Sequence, residues 1–167
     1  LLYAITNDSM LLLDVVHPLS ATVLSSIPLR GVPYPTASNV VSNSGIVYAA
    51  LSNDLKAKIF IIDAFNPWGP LISDSLDVTT PGEGFISEMV LSDDKLFLTK
   101  SNTGLRIYDI SNPFVLNEIA SESFDLLKNI YVCDSIIYAV NDDDFLLINF
   151  ADLGDIRIVE SYNLPYT

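Results

Sequence analysis

Apolar residues fall in short consecutive runs along this chain, and polar turn residues break the runs at short intervals. Ile46–Leu51 and Lys58–Asp63 are apolar at almost every position. Neither run shows the i, i+3, i+4 spacing of an amphipathic helix, and neither approaches the roughly 18–20 residues of a membrane span. Ile, Val, Leu, Tyr and Phe dominate the runs, and Asn-Asp, Ser-Asn, Asn-Pro and Asp-Asp pairs separate them. That is strand and turn chemistry. A strand apolar on consecutive positions is one covered on both faces.

The runs repeat. Leu2–Asp8 with Met10–Pro18 aligns with Ile46–Asp54 with Lys58–Pro67. Lys95–Asn102 with Leu105–Pro113, and Ile136–Asp142 with Phe145–Leu153, fit the same frame. A shared aromatic recurs at Tyr3, Tyr48, Phe97 and Tyr138, and a shared polar residue ends the second run at Asp14, Asp63, Asp109 and Asn149. A recurrence every 40–50 residues or so suits a propeller blade. The expected fold is therefore all-β: a β-propeller of about four four-stranded antiparallel blades.

The blades are expected near residues 1–29, 37–78, 86–123 and 128–164 of a repeat domain spanning 1–167. In blade two the strands read Ala37–Val41, Ile46–Leu51, Lys58–Asp63 and Pro70–Val78. Blade three reads Ile86–Ser92, Lys95–Lys100, Leu105–Tyr108 and Val115–Ser123. Blade four reads Lys128–Cys133, Ile136–Val140, Phe145–Phe150 and Ile156–Leu164. The first blade lacks its first strand, and only Pro165-Tyr166-Thr167 follows the last one. The propeller is thus expected to be partial, or completed by another segment or subunit. Ser121–Lys128 is the one place where a helical turn is expected.

Composition narrows the function classes. The chain has 167 residues, 50% of them hydrophobic and only 17% charged, with a mean hydropathy of +0.39. Such a chain can bury enough surface to fold. Acidic residues outnumber basic ones 21 to 8, giving a net charge of 8 − 21 = −13, which opposes binding to nucleic-acid phosphates. Cys133 is the only cysteine, so no internal disulfide forms. It reads as a small buried apolar side chain. Leu1–Ile5 has neither the basic start nor the cleavage site of a signal peptide.

Gly104-Leu105-Arg106-Ile107-Tyr108-Asp109-Ile110-Ser111-Asn112-Pro113 resembles the core of the LVIVD repeat. Ile61-Ile62-Asp63 with Asn66-Pro67, and Leu13-Asp14 with His17-Pro18, match it in part. The fourth blade departs, with Asn149 for Asp and Asp152-Leu153 for Asn-Pro. The resemblance implies a bacterial or archaeal propeller, often extracellular or at the cell surface. It implies an interaction module with no shared catalytic residues to carry over.

The repeated polar residues read as structure. Asn66 and Asn112 can cap the backbone two residues on, while Pro67 and Pro113 fix φ at the next turn position. Asp14, Asp63 and Asp109 are expected to accept backbone N–H bonds at the end of the third strand. His17, the only histidine, occupies the same slot as Asn66, so it reads as a turn residue and not as an acid–base catalyst. Asp142-Asp143-Asp144 is the densest anionic cluster and the one metal candidate, for Ca²⁺. Its competing reading is a solvated turn, as for Asp93-Asp94. Asn7-Asp8-Ser9 is a glycosylation sequon in a turn. Pro81-Gly82-Glu83-Gly84 lacks the Lys and Ser/Thr of a phosphate loop and reads as a crossover between blades, like Arg30–Pro35. Trp68 shares a slot with Leu19 and Phe114 and reads as a packing residue.

The functional expectation is a non-enzymatic interaction or structural module of a cell-surface or extracellular protein. It would have no cofactor, with Ca²⁺ the one candidate. Its partners would be other proteins or further copies of itself, with no nucleic acid and no membrane span. The competing expectation is a ligand- or Ca²⁺-binding or hydrolytic propeller with its site in the central channel.

Overall fold

A computed structural model of the chain describes residues 1–35, 37–80, 82 and 84–165. Part of the second crossover, Pro81 and Glu83, and the terminal Tyr166 and Thr167 lie outside the described residues. Blade one contains β1 (Leu2–Ile5), β2 (Ser9–Asp14) and β3 (Thr22–Pro28). Blade two contains β4 (Ala37–Asn43), β5 (Ile46–Ser52), β6 (Ala57–Asp63) and β7 (Leu71–Asp77). Blade three contains β8 (Ile86–Ser92), β9 (Lys95–Lys100), β10 (Gly104–Asp109) and β11 (Asn117–Glu122). Blade four contains β12 (Asn129–Cys133), β13 (Ile136–Val140), β14 (Asp144–Asn149) and β15 (Arg157–Asn163). Each blade is an antiparallel meander; the first is three-stranded and the others four-stranded.

The sheets stack face to face in an unclosed arc. Their inner strands adjoin, β1 against β4, β4 against β8 and β8 against β12. Each interface holds its own core. Met10, Leu12, Val47, Ala49 and Phe60 fill the gap between blades one and two. Tyr48, Ile59, Met89, Leu96 and Leu98 fill the next. Phe97, Leu105, Ile107, Ile137 and Ile148 fill the third. This explains the unbroken apolar runs. Successive side chains of a strand point to opposite faces, so Val47 and Ala49 meet blade one while Tyr48 and Ala50 meet blade three. All seven residues of β5 are buried. The outermost strands β7, β11 and β15 have no such double cover and are mostly exposed.

Two features differ from the sequence expectation. Ser121–Lys128 contains no helical turn. Leu127 is fully buried in the core between blades three and four, and that anchor draws the segment inward as a tight crossover, with Leu126 at φ 50. The one helical element among the described residues is a 3₁₀ turn at Pro18–Ser20, where Pro18 supplies a suitable φ.

All four blades carry a β-bulge at the same place. The register between third and fourth strands shifts at Leu12/Leu13, Ile61/Ile62, Ile107/Tyr108 and Leu147/Ile148. In each case the outer strand carries one extra residue, which increases the local twist. Gly104 opens β10 at φ +92, and a Cβ there would collide with the Phe124 backbone N and, at 2.6 Å, with the Glu122 backbone O. Both the dihedral and the close approach demand glycine.

Gly104→Ala is therefore expected to destabilise the fold by about 2–4 kcal/mol, read as a lower urea midpoint. An unchanged midpoint would mean that the backbone at Phe124 can move aside.

Candidate functional site

Antiparallel order sorts the loops into two rims. One carries the turns between first and second strands and between third and fourth strands; we call it the motif rim. The other carries the turns between second and third strands and the crossovers from blade to blade; we call it the crossover rim.

On the motif rim the repeated polar residues are bound locally. Backbone N–H groups two residues on donate to Asp14, Asp63, Asp109 and Asn149 Oδ1, at 2.9, 3.1, 2.8 and 2.8 Å. The Ser111 donors hold the Asp109 carboxyl below the usual carboxylate range. A second cap follows in each of the last three blades: Trp68, Phe114 and Gly154 N–H donate to Asn66, Asn112 and Asp152 Oδ1 at 3.2, 3.2 and 2.9 Å. Asn66 and Asn112 also accept at their carbonyls from Gly69 and Val115 N–H. These are nested Asx turns, with Pro67 and Pro113 set between cap and strand.

The rim is tied to its neighbours. Tyr48 Oη donates to the Pro113 carbonyl at 2.9 Å, and Ser25 Oγ donates to the Pro67 carbonyl at 2.6 Å. Each bond links one blade to the turn of the next. Burial pushes the Tyr48 phenol up to about 12. Tyr108, buried in the same core and facing the Glu118 carboxylate, is pushed up to about 12 as well.

The slot after the Asn-Pro turns, and after His17-Pro18 in blade one, is exposed. Leu19 is 104% and Trp68 72% exposed, and Phe114 is partly exposed. Trp68 is thus a surface residue, not the packing residue expected from sequence, because the cap turns its side chain off the end of the sheet. Val16 and Phe65, at equivalent positions of blades one and two, are exposed as well. Clefts of about 250 and 300 Å³ run between adjacent blades on this rim, with Asp93, Asp94 and Asp134 in their walls.

The crossover rim carries an apolar cleft of about 470 Å³ between blades three and four, lined by Phe85, Asn102, Leu126, Leu127 and Lys128 among others. Lys100 is buried beside β8, and its ammonium donates to the Val78 carbonyl at 2.6 Å. At the first crossover a shallower depression is lined by Arg30, Val32 and Tyr34. The turns are again self-capped: Asn53 Oδ1 accepts from Leu55 and Lys56 N–H, and Asn141 Oδ1 from Asp143 and Asp144 N–H.

The Ca²⁺ candidate is not assembled. Asp142 pairs with Lys128 Nζ, Asp144 Oδ1 faces Asn163 Nδ2 at 3.4 Å, and the Asp143 carbonyl accepts from Leu164 N–H. Asp142 and Asp144 are thus engaged with different partners, and among the described residues no group of three or more His, Cys, Asp or Glu could hold a metal ion. His17 is exposed and makes no side-chain cap; its carbonyl accepts from Ser20 N–H. Cys133 is exposed, not buried as expected, because it lies on the outward face of β12 where no further blade covers it. Asn7 and Asp8 sit in an exposed turn. Toward the axis, Asn39 Nδ2 donates to the Ser87 carbonyl at 3.2 Å and Asn129 Nδ2 to Glu88 Oε2 at 3.1 Å, so inner-strand polar groups link adjacent blades.

No protein-family model matches the sequence, and no curated protein matches it. Among solved structures, the computationally designed Ika8 protein is similar in fold, with a TM-score of 0.56 at 10% identity over 96% of this chain. The chain spans 48% of that protein's length. A glutaminyl cyclase of Myxococcus xanthus matches 86% of this chain and 58% of its own at 16% identity, TM-score 0.46. Hsv2 of Kluyveromyces lactis matches 76% and 38% at 13% identity, TM-score 0.45.

Two outcomes follow. Tyr48 and Tyr108 bind their protons more tightly folded than unfolded, so their contribution is complete below pH 10 and declines as pH rises from 10.0 towards about 12. Tyr48→Phe should cost about 1 kcal/mol at neutral pH through the lost bond to Pro113, and should flatten the alkaline fall in urea midpoint. Calcium or a chelator should leave the melting temperature unchanged; a rise with calcium would show that the Asp142–Asp144 turn does bind the ion.

Proposed function

We propose that this chain is a non-enzymatic interaction module whose motif rim docks another protein. The carrying observation is the row of exposed apolar side chains at equivalent slots of successive blades: Leu19, Trp68 and Phe114, flanked by Val16 and Phe65. Exposed Trp and Phe are common anchors of a protein contact. The surrounding carboxylates at Asp14, Asp63, Asp93, Asp94 and Asp109 set the sign of the partner. The caps on Asp14, Asp63 and Asp109 engage Oδ1 and leave the carboxylates charged, so the rim suits a segment that presents aliphatic or aromatic residues between Lys and Arg.

The recurrence of the same residues supports a scaffold over a catalyst, since an active site is ordinarily unique within a chain. The resemblance of Gly104–Pro113 to the LVIVD repeat supports membership of that propeller family and an extracellular or cell-surface setting. The net charge of −13 suits a well-solvated surface domain. No helix among the described residues is long and apolar enough to cross a membrane.

Trp68 is the only tryptophan and reports directly on its rim. Peptides selected from a displayed library against the chain should be enriched in Lys and Arg flanking apolar residues. They should shift Trp68 emission and lose most of their affinity for Asp63→Asn or for added salt. In Trp68→Ser their binding should fall at least tenfold. Selection of no peptide, or binding indifferent to Trp68→Ser, would overturn the proposal.

A further inference from the structure

One cleft on the motif rim has walls of complementary chemistry. It lies between blades two and three and has a volume of about 250 Å³, room for one long side chain. Blade two supplies Ile46, Tyr48 and Phe65, and blade three supplies Asp93, Asp94 and Pro113. The bond from Tyr48 Oη to the Pro113 carbonyl ties the two walls together.

The Phe65 ring is exposed yet held in place. It is 67% exposed. The ring packs on the Gly45 backbone so closely that a Cβ there would lie 2.8 Å from Phe65 Cδ1. A supported ring that is open to water is a platform for a cation, because its π-face is negative. Across the cleft Asp93 and Asp94 are exposed. Among the described residues neither carboxylate enters an ion pair or a side-chain hydrogen bond. They differ in this from Asp63 and Asp109, whose Oδ1 atoms cap the backbone.

The cleft between blades three and four is an internal comparison. It is built from equivalent positions, but Lys95 takes the slot of Ile46 and Ser135 that of Asp94. Ser111, in the slot of Phe65, has no ring. That cleft therefore has an ammonium of this chain in its wall beside Asp93 and Asp134. The cleft between blades two and three has carboxylates and no cation in its walls. The cation that this chain provides in one cleft is left to a partner in the other.

We infer that this cleft receives one arginine side chain of a docking protein, with the guanidinium lying on the Phe65 ring and hydrogen-bonded to Asp93 or Asp94. A guanidinium suits these walls better than an ammonium. It is planar, stacks on rings, forks onto a carboxylate and is more weakly hydrated. The inference rests on the docking reading of the motif rim, and adds to it which basic residue is read and where.

N-acetyl-arginine methylamide probes the cleft alone. Followed by backbone amide NMR, it should bind in the millimolar range and shift the resonances of Ser44, Phe65, Asp93, Asp94 and Ser111. The citrulline analogue, uncharged and of the same shape, should shift none of them. The lysine analogue should bind severalfold more weakly. Asp93→Asn combined with Asp94→Asn should remove the shifts, and so should Phe65→Ser, with far-UV circular dichroism confirming that each variant folds. Asp54→Asn removes an exposed charge from the crossover rim and should leave the shifts in place. An absence of shifts, or shifts scattered over the acidic turns of both rims, overturns the inference. Peptides that dock on the rim should lose about tenfold in affinity when one particular arginine becomes citrulline. If they bind the Asp93→Asn, Asp94→Asn variant as well as the parent, the arginine cleft is wrong and the docking reading stands. If the probe fills the cleft but no peptide is selected, the docking reading fails and the cleft stands as a guanidinium site.

Discussion

Every blade of this protein depends on its neighbours to cover both faces of its sheet. A solvated antiparallel sheet needs one apolar face, but β5, β6 and β9 are apolar on both. Each buried Ile, Leu or Phe contributes roughly 1.5–3 kcal/mol, and a sheet standing alone would forfeit half of these contributions. The interfaces therefore come before the individual blades in importance. Ile46, Tyr48 and Ala50 belong energetically to the pair of blades two and three as much as to their own strand. This is the nearest-neighbour logic of repeat architectures.

Turn chemistry keeps the stack in register. The third strand of each blade ends in a carboxylate or amide that caps the backbone two residues on, and a bulge in the fourth strand sits just before it. After the cap, Ala64, Ile110 and Phe150 N–H donate back to the first hairpin turn, at Gly45, Asp94 and Ser135 carbonyls. The motif is therefore a brace between the two turns of one rim. Where Tyr48 reaches the Pro113 carbonyl, the brace of one blade becomes the acceptor of the next. Several polar residues that looked like chemistry in isolation take part in this bracing, and beside them on the rim the apolar Leu19, Phe65 and Trp68 are exposed.

The acidity follows the same division. Carboxylates sit in turns and on outer strands, while the cores between blades hold few polar groups, Ser52, Thr99 and Lys100 among them. Ser52 Oγ accepts from Ile86 N–H and Lys100 donates to the Val78 carbonyl. Both bonds tie the end of a second strand to the chain passing from blade two into β8. The few buried polar groups thus sit where the chain passes from blade to blade, where backbone groups lack ladder partners.

The sequence by itself determined the strands, their order and their grouping into blades. Two-sided apolar runs, turn pairs and a recurring aromatic are local features, and β8, β9 and β13 begin and end where the pattern places them. It also marked Asp63, Asn66, Asp109 and Asn112 as turn residues, since repetition is visible without coordinates. Only the tertiary structure decided which side chains face outward. Trp68 and Cys133 carry apolar neighbours in sequence, but a cap directs the one off the rim and a missing neighbour exposes the other. Asp142–Asp144 is compact in sequence, yet Asp142 pairs with Lys128 and Asp144 faces Asn163, so its carboxylates do not assemble as one site. The helical pattern at Ser121–Lys128 yielded to the burial of Leu127. In each case the outcome rests on what lies across a sheet face, which is set by residues some 40–50 positions away and leaves no trace in the local pattern.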